Sequence, residues 1–225
     1  MEFLKKIWAL FDKDFLTERR TKEFFSAMCL FAIMVLVVFN FTIDPELEQT
    51  LSVGPGILWV AFTFAGTLGL NRAFAPESEN GNFQALRLLP IDKGAIYLGK
   101  MLSAFVFMFF TELVILPLFI VFFNLRLSTE IPALLLTCAM GTFGFVAAGT
   151  IFSAISLNTK MREVILPLLL FPVAVPLLIA SVECTAVILR GDPFSDTFDW
   201  LKIMGAFDII IVIGSFLTFE YVLEE

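Results

Sequence analysis

Six long runs of apolar residues, separated by short polar stretches, limit what this chain can fold into. They cover about residues 24–43, 54–70, 94–123, 131–157, 164–189 and 202–221. Roughly 20 apolar residues in a helix are enough to cross a bilayer, so the runs predict six transmembrane helices. The connections leave no room for a sizeable soluble domain on either side. The whole chain, 1–225, is therefore predicted to be a single all-α transmembrane domain.

The composition excludes an ordinary soluble domain. Apolar residues make up 59% of the 225 residues and charged residues only 16%, and the mean hydropathy is +0.91. So few polar side chains cannot cover the surface of a domain of this size in water. The lipid bilayer is therefore the expected surrounding. The net charge of -7 is less informative than the location of the basic residues, and no nucleic-acid partner is expected.

Residues 1–22 predict an amphipathic helix that lies in the membrane interface. Apolar side chains recur there at spacings of three and four, while the charged residues mostly lie elsewhere around the helix. The apolar positions are Phe3, Leu4, Ile7, Trp8, Phe11 and Phe15. The apolar run that follows is too long for a cleavable signal peptide.

The basic residues predict that both termini lie in the cytoplasm. With the N-terminus inside, only Arg126, Arg190 and Lys202 of the 15 Lys and Arg residues fall on the outside. Short cytoplasmic loops carry the excess of Lys and Arg in membrane proteins. The inside segments hold the other twelve: Lys5, Lys6, Lys13, Arg19, Arg20, Lys22, Arg72, Arg87, Lys93, Lys100, Lys160 and Arg162.

The loop at 72–93 is the longest polar stretch between predicted spans. Phe83, Leu86 and Leu89 share one helical face before Pro90 ends the helix. A short cytoplasmic helix with an apolar face can insert into a groove on a partner protein. The same pattern also fits a helix that lies on the membrane, and the pattern alone leaves both interpretations open.

Two spans carry unusual residues. Pro167, Pro172 and Pro176 lie in the fifth run and predict a kinked or interrupted helix. Small residues mark the fourth run, among them Gly141, Gly144 and Ala148, and they allow close approach of helices. Packing within the subunit is the expected use of these residues, and a homodimer contact is the sharper alternative.

No enzymatic constellation is present in the sequence. There is no histidine and no phosphate-binding loop, so no His-dependent catalysis, His-ligated metal or conventional ATP site is expected. Cys29, Cys138 and Cys184 lie inside apolar runs, are widely spaced, and are expected to be packing residues. No metal site or tightly bound cofactor is predicted.

Three acidic residues fall within apolar runs: Glu112, Glu183 and Asp208. Ionisable groups are costly there and usually face a protein interior or a water-filled path. Each acid is a candidate for lining a substrate pathway or relaying a proton. The alternative is a hydrogen bond to a neighbouring helix or a place near the interface. Glu112 lies closest to the middle of its span and is the strongest pathway candidate.

Several stretches together resemble the cytochrome c maturation protein B family, also called haem exporter protein B. They are 14–23 (DFLTERRTKE), 55–60 (PGILWV), the loop pattern Glu79-x-Gly81-x-Phe83-Gln84-x-Leu86-x-Leu88-Leu89-Pro90, Leu98-Gly99-Lys100, Gly141-Thr142, and 165–168 (ILPL) through Pro172. Gln84 departs from the family, in which an acidic residue is common at this position. The length and the six predicted spans agree as well.

The resemblance implies an ABC-2 exporter fold in the bacterial inner membrane, paired with a separate cytoplasmic CcmA-like ATPase that binds ATP. It implies a role in delivering haem to c-type cytochromes, with CcmC-, CcmD- and CcmE-like membrane partners. The loop helix would couple nucleotide-driven closure to the spans. That assigns ATPase coupling to Glu77, Glu79, Gly81, Phe83, Gln84, Leu86, Leu89 and Pro90.

Two other kinds of transporter remain open from the sequence. An ABC-2 permease for a lipid-linked, polysaccharide or drug substrate would share the interfacial helix, the coupling helix and six spans. A proton-coupled secondary transporter would use the intramembrane acids and need no ATPase, but no inverted repeat supports it. The motif at 55–60 favours the haem-delivery family.

Overall fold

A computed structural model of the chain describes residues 2–43, 47–74, 92–125, 130–157, 159 and 161–224. Over these residues the fold is entirely helical. The helices are α1 (Glu2–Thr21), α2 (Glu23–Thr42), α3 (Leu47–Arg72), α4 (Lys93–Phe122), α5 (Ile131–Ser156), α6 (Arg162–Arg190) and α7 (Phe198–Glu224), with a 3₁₀ turn at Phe194–Thr197. Helices α2 to α7 are long and apolar enough to cross a membrane, which confirms the six predicted spans.

The chain turns sharply between α1 and α2. Lys22 adopts a left-handed conformation with φ of 55°, which is uncommon for a residue other than glycine. Its N–H donates to the carbonyl of Glu18 at 2.7 Å, and Glu18 Oε1 accepts from the N–H of Phe25 at 2.8 Å. This carboxylate therefore satisfies an amide in the first turn of α2, where intrahelical acceptors are missing. The break separates α1 from the first span.

The second span, predicted from about residue 54, begins earlier, since residues 47–50 are the first turn of α3 and the helix runs on past Pro55. The fifth span was predicted to be kinked or interrupted. It is not interrupted, since α6 is one helix through Pro167, Pro172 and Pro176. Each proline removes one backbone hydrogen bond, but packing against neighbouring helices keeps such spans helical.

Helix α5 lies at the centre of the bundle and packs against α3, α4, α6 and α7. Its residues from Gly144 to Ile151 are all buried. The small side chains among them let neighbouring helices approach closely, and Ser153 at the end of α5 donates to the carbonyl of Leu70 in α3 at 2.8 Å. The polar groups described below are arranged around this central helix.

The N-terminal helix and the end of α7 lie at the same end of the bundle. Lys93 Nζ, at the start of α4, lies 3.9 Å from Glu220 Oε1 near the end of α7. Lys100, two turns further along α4, contacts Asp14 in α1. Both contacts are made by the first turns of α4, so this end of the bundle carries the basic N-terminal helix and the segment after α3.

Candidate functional site

The residues predicted to couple to an ATPase lie in 75–91, outside the described residues. These are Glu77, Glu79, Gly81, Phe83, Gln84, Leu86, Leu89 and Pro90. The structure describes the chain on both sides of them. Phe74 precedes the segment and is fully buried. Asp92 follows it and caps α4 by accepting the N–H of Gly94 at 2.9 Å. Both ends of the segment 75–91 are therefore held at the end of the bundle that carries α1 and the start of α4, which is called the basic end below.

A buried lysine lies beside the start of that segment. Only 2% of the Lys100 side chain is exposed. Its ammonium group lies 3.1 Å from each carboxylate oxygen of Asp14 and donates to the carbonyl of Ala73 at 3.0 Å. The same group lies 5.2 Å from the centroid of the Phe74 ring, within the range of a cation–π interaction. Lys100 thus joins α1, α4 and the two residues that precede 75–91.

Helix α1 packs closely against α4 beside Lys100. A Cβ placed on Gly99 would lie 2.9 Å from Leu10 Cβ and 3.3 Å from the carbonyl oxygen of Ile7, so only glycine allows this approach. About one turn further along α1 and two turns further along α4, the rings of Phe15 and Phe107 stack, with centroids 5.8 Å apart. A small cavity of about 70 Å³ lies between the helices, lined by charged and polar residues that include Lys13, Thr17, Glu18, Arg72 and Ser103.

Glu112 is buried between two spans in the interior of the bundle. It is 1% exposed, and its Oε1 accepts a hydrogen bond from Thr142 Oγ1, which joins α4 to α5. Its Oε2 has no hydrogen-bond partner among the described residues. The side chain therefore makes the interhelical hydrogen bond foreseen as an alternative to a pathway role. It also keeps one unsatisfied oxygen in an apolar setting.

Asp208 approaches the other side of α5. It is 7% exposed, and its Oδ1 lies so close to Gly144 that a Cβ added to the glycine would clash with it. That oxygen also has no hydrogen-bond partner within the described part of the chain. Residues two apart point about 200° from each other around a helix. The contacts at Thr142 and Gly144 therefore place the two acids on different sides of α5.

Glu183 does not join these buried acids. Its side chain is exposed on α6, whereas the neighbouring Cys184 is fully buried. A carboxylate on the outer face of a span either reaches the interface or meets another protein chain. The structure thus separates the three candidate pathway residues into two that face the interior and one that faces outward.

The small residues of α5 are used within the subunit. A Cβ on Gly141 would strike the ring of Trp59 and lie 2.7 Å from Ser181 Oγ. Gly144 is closed by Asp208 and Leu177, and Ala148 is buried. In this chain the face of α5 that carries the two glycines is covered by α3, α6 and α7.

A hydrogen-bonded link between α3 and α6 was missed in the sequence. Trp59 Nε1 donates to Thr185 Oγ1 at 2.9 Å, and Thr185 in turn donates to the carbonyl of Ser181 at 2.7 Å. Nearby, Thr137 and Cys184 lie 3.2 Å apart. Trp59 was noted only as part of a motif. A buried indole N–H needs a hydrogen-bond partner, and this requirement could have indicated such a contact.

A groove opens at the other end of the bundle, between the start of α5 and the end of α6. Its volume is about 470 Å³, and apolar side chains line it together with two acids: Glu130, Pro132, Ala133, Leu136, Ile188, Asp192 and Phe194. Within the described ranges no three Cys, Asp or Glu side chains form a group that could hold a metal ion.

These observations define a class of protein. Six apolar spans form the bundle, and four of them pack against the central span α5. Acidic and hydroxyl side chains are buried between the spans, and the ion pairs of Lys93 and Lys100 lie at one end. The chain is a multi-pass helical membrane protein whose polar residues are held between its helices.

Comparison with known proteins gives the family. The model of the CcmB protein family matches residues 5–222, so the chain belongs to the CcmB family, as the sequence motifs had suggested. It is 29% identical over 188 residues to heme exporter protein B of Pseudomonas aeruginosa, covering 84% of this chain and 83% of that protein. The proteins of the same name from Rhodobacter capsulatus and Escherichia coli K12 are 29% identical over 178 residues (78% of this chain, 80% of that protein) and 27% identical over 186 residues (78% of each chain).

Proposed function

We propose that this chain is the membrane permease subunit of an ABC transporter that serves haem delivery during cytochrome c maturation. The observation that carries the proposal is the family match over nearly the whole chain, together with relatives named heme exporter protein B. The six spans agree with a permease. A transporter subunit of this kind is not itself an enzyme, and the bacterial inner membrane is its proposed location.

ATP hydrolysis is assigned to a separate CcmA-like ATPase. The sequence has no phosphate-binding loop that could cradle a nucleotide. The helix predicted at 77–90 would dock on this partner from the basic end of the bundle, and CcmC-, CcmD- and CcmE-like proteins would complete the complex. A second copy of this chain is a further predicted partner.

The predicted orientation places the basic end of the bundle in the cytoplasm. The contacts of Lys93 with Glu220 and of Lys100 with Asp14 put α1, the start of α4 and the end of α7 on one side. The excess of Lys and Arg on that side supports an inside location, with α1 lying in the interface. The chain would then form one permease domain with both termini inside.

The chain's chemistry favours conformational coupling over direct haem ligation. Histidine is absent from the sequence, and it is a common axial ligand of haem iron. ATP-driven rearrangement that releases a haem-loaded chaperone therefore fits this chain better than a haem path with ligands of its own. Under a transport mechanism, Glu112 and Asp208 are the interior groups available to line the path, and Glu183 faces outward.

Purification of the tagged chain from its own membranes tests this proposal. We expect an ABC ATPase to copurify and to hydrolyse ATP in the complex. Phe83→Asp and Leu86→Asp should reduce this association by placing a charge on the predicted docking face. Asn82→Asp adds the same charge beside that face and should leave the association intact. Absence of any ATPase from the purified wild-type protein would refute the proposal.

A further inference from the structure

We infer that Lys100 is a positioning residue that carries movement of the segment after α3 into the transmembrane helix α4. The inference rests on the proposed function, in which an ATPase acts on the chain through the helix predicted at 77–90. It assigns a role to residues outside that helix, namely Lys100, Asp14 and the main chain at Ala73.

The ammonium group of Lys100 is surrounded by polar and aromatic groups. Its ammonium group has the two oxygens of Asp14 and the carbonyl of Ala73 within 3.1 Å, and the Phe74 ring lies beside it. Only 2% of the side chain is exposed. A buried ammonium that gave up these partners would lose its compensation for lost hydration. The groups around Lys100 are therefore held to it and move with it.

Two of the groups that contact Lys100 lie directly before residues 75–91 in the chain. Ala73 and Phe74 are the last two residues before 75–91, and the contact at Ala73 is made to the backbone. A hydrogen bond to the backbone restrains the chain itself and does not depend on the side chain at position 73. Any force on the following segment is therefore transmitted directly to Lys100.

Helix α4, which would receive the movement, is closely packed around Lys100. The first turns of α4 are packed on several sides: Gly99 lies against α1, the Tyr97 hydroxyl donates to the carbonyl of Ala147 at 3.1 Å, and the Tyr97 ring packs on Phe219 of α7. Glu112 follows Lys100 by twelve residues on the same helix, about 18 Å along its axis. A displacement at Lys100 thus reaches the interhelical contacts of Glu112 through one continuous helix.

Three variants test this inference in the complete complex. Lys100→Met removes the ammonium and keeps an unbranched side chain. Asp14→Asn removes the partner charge on α1 and leaves an acceptor oxygen. Arg72→Met is the matched control, because Arg72 lies at the same end and its pair with Glu23 joins α3 to α2 through side chains that are 55% and 65% exposed.

The measurement is the amount of c-type cytochrome formed in cells, divided by the total ATPase activity of the complex recovered from the same cells. We expect this ratio to fall about tenfold for Lys100→Met and about fivefold for Asp14→Asn, within the usual range of a coupling free energy. Arg72→Met should retain the wild-type ratio. A purely structural role would lower the amount of complex and leave the ratio unchanged.

The outcomes separate this inference from the proposed function. A wild-type ratio in Lys100→Met, with an active wild-type complex, overturns the role of Lys100 alone. An equal fall in Arg72→Met also overturns it, since the effect would then be general to this end of the bundle. A wild-type chain without a copurifying ATPase overturns both. If Lys100→Met does not accumulate in the membrane, the ratio in Asp14→Asn decides.

Discussion

The indole N–H of Trp59 in α3 donates a hydrogen bond to the hydroxyl of Thr185 in α6 across a distance of 2.9 Å. The ring of the same tryptophan lies against Gly141 of α5. One side chain therefore holds three spans together, by a polar contact on one side and by close packing on another. This arrangement gives the motif at 55–60 a structural role in the interior of the membrane domain.

Trp59→Phe should weaken the fold, because it removes both the hydrogen bond to Thr185 and the ring atoms that lie against Gly141. The free energy of unfolding should fall by at least about 0.6 kcal/mol, the average for one hydrogen bond between membrane helices. Denaturant titration of the protein in detergent would measure the change. Trp8→Phe is the control, since Trp8 is 55% exposed on α1. A loss as large in the control would contradict the assignment to the Thr185 contact.

Gly141→Ala should destabilise the protein, although alanine normally favours a helix over glycine. The new methyl group would strike the Trp59 ring and crowd Ser181 Oγ. Overpacking of this kind costs roughly 1–3 kcal/mol. Gly214→Ala on α7 is the matched control, because no atom lies within 4 Å of the added Cβ there. Thermal unfolding should show a lower midpoint for the first variant, and equal midpoints would show that the contact relaxes at no cost.

Glu112 is expected to act mainly as a link between α4 and α5. Glu112→Gln keeps an oxygen that accepts from Thr142, so stability and c-type cytochrome formation should be close to wild type. Glu112→Leu removes the acceptor and should cost about 1 kcal/mol of stability. Haem staining and denaturant titration measure the two effects. A stable Gln variant without c-type cytochromes would instead show that the ionisable carboxyl works in a pathway.

The two ends of the bundle should be labelled from opposite sides of the membrane. Asp192 and Thr159 are both exposed, and they lie at the two ends of α6. In a chain whose native cysteines are replaced by alanine, a cysteine at 192 should react with an impermeant maleimide in intact cells. A cysteine at 159 should react only after permeabilisation. The reverse pattern would overturn the predicted orientation.

Much of the fold follows from the sequence because the bilayer requires long apolar helices, and α2 to α7 match the six apolar runs. The three prolines of α6 predicted a kinked or interrupted helix, yet the helix is not interrupted, because packing within a membrane bundle outweighs local preference.

The interior contacts could be anticipated only in part. Glu112 was recognisable as a costly charge in a span, but its partner Thr142 is 30 residues away. Likewise, Lys100 was noted only as an inside charge and as part of the motif Leu98-Gly99-Lys100, and nothing local indicates its burial against Asp14, 86 residues earlier. Such pairs depend on which helices become neighbours, and helical periodicity does not specify that.

The most direct test of the account is to delete the gene in its host and stain membrane and periplasmic fractions for covalently bound haem. The account predicts that c-type cytochromes disappear and that a plasmid copy of the gene restores them. Unchanged c-type cytochromes, in a host with no second copy and no other maturation system, would contradict the role in haem delivery.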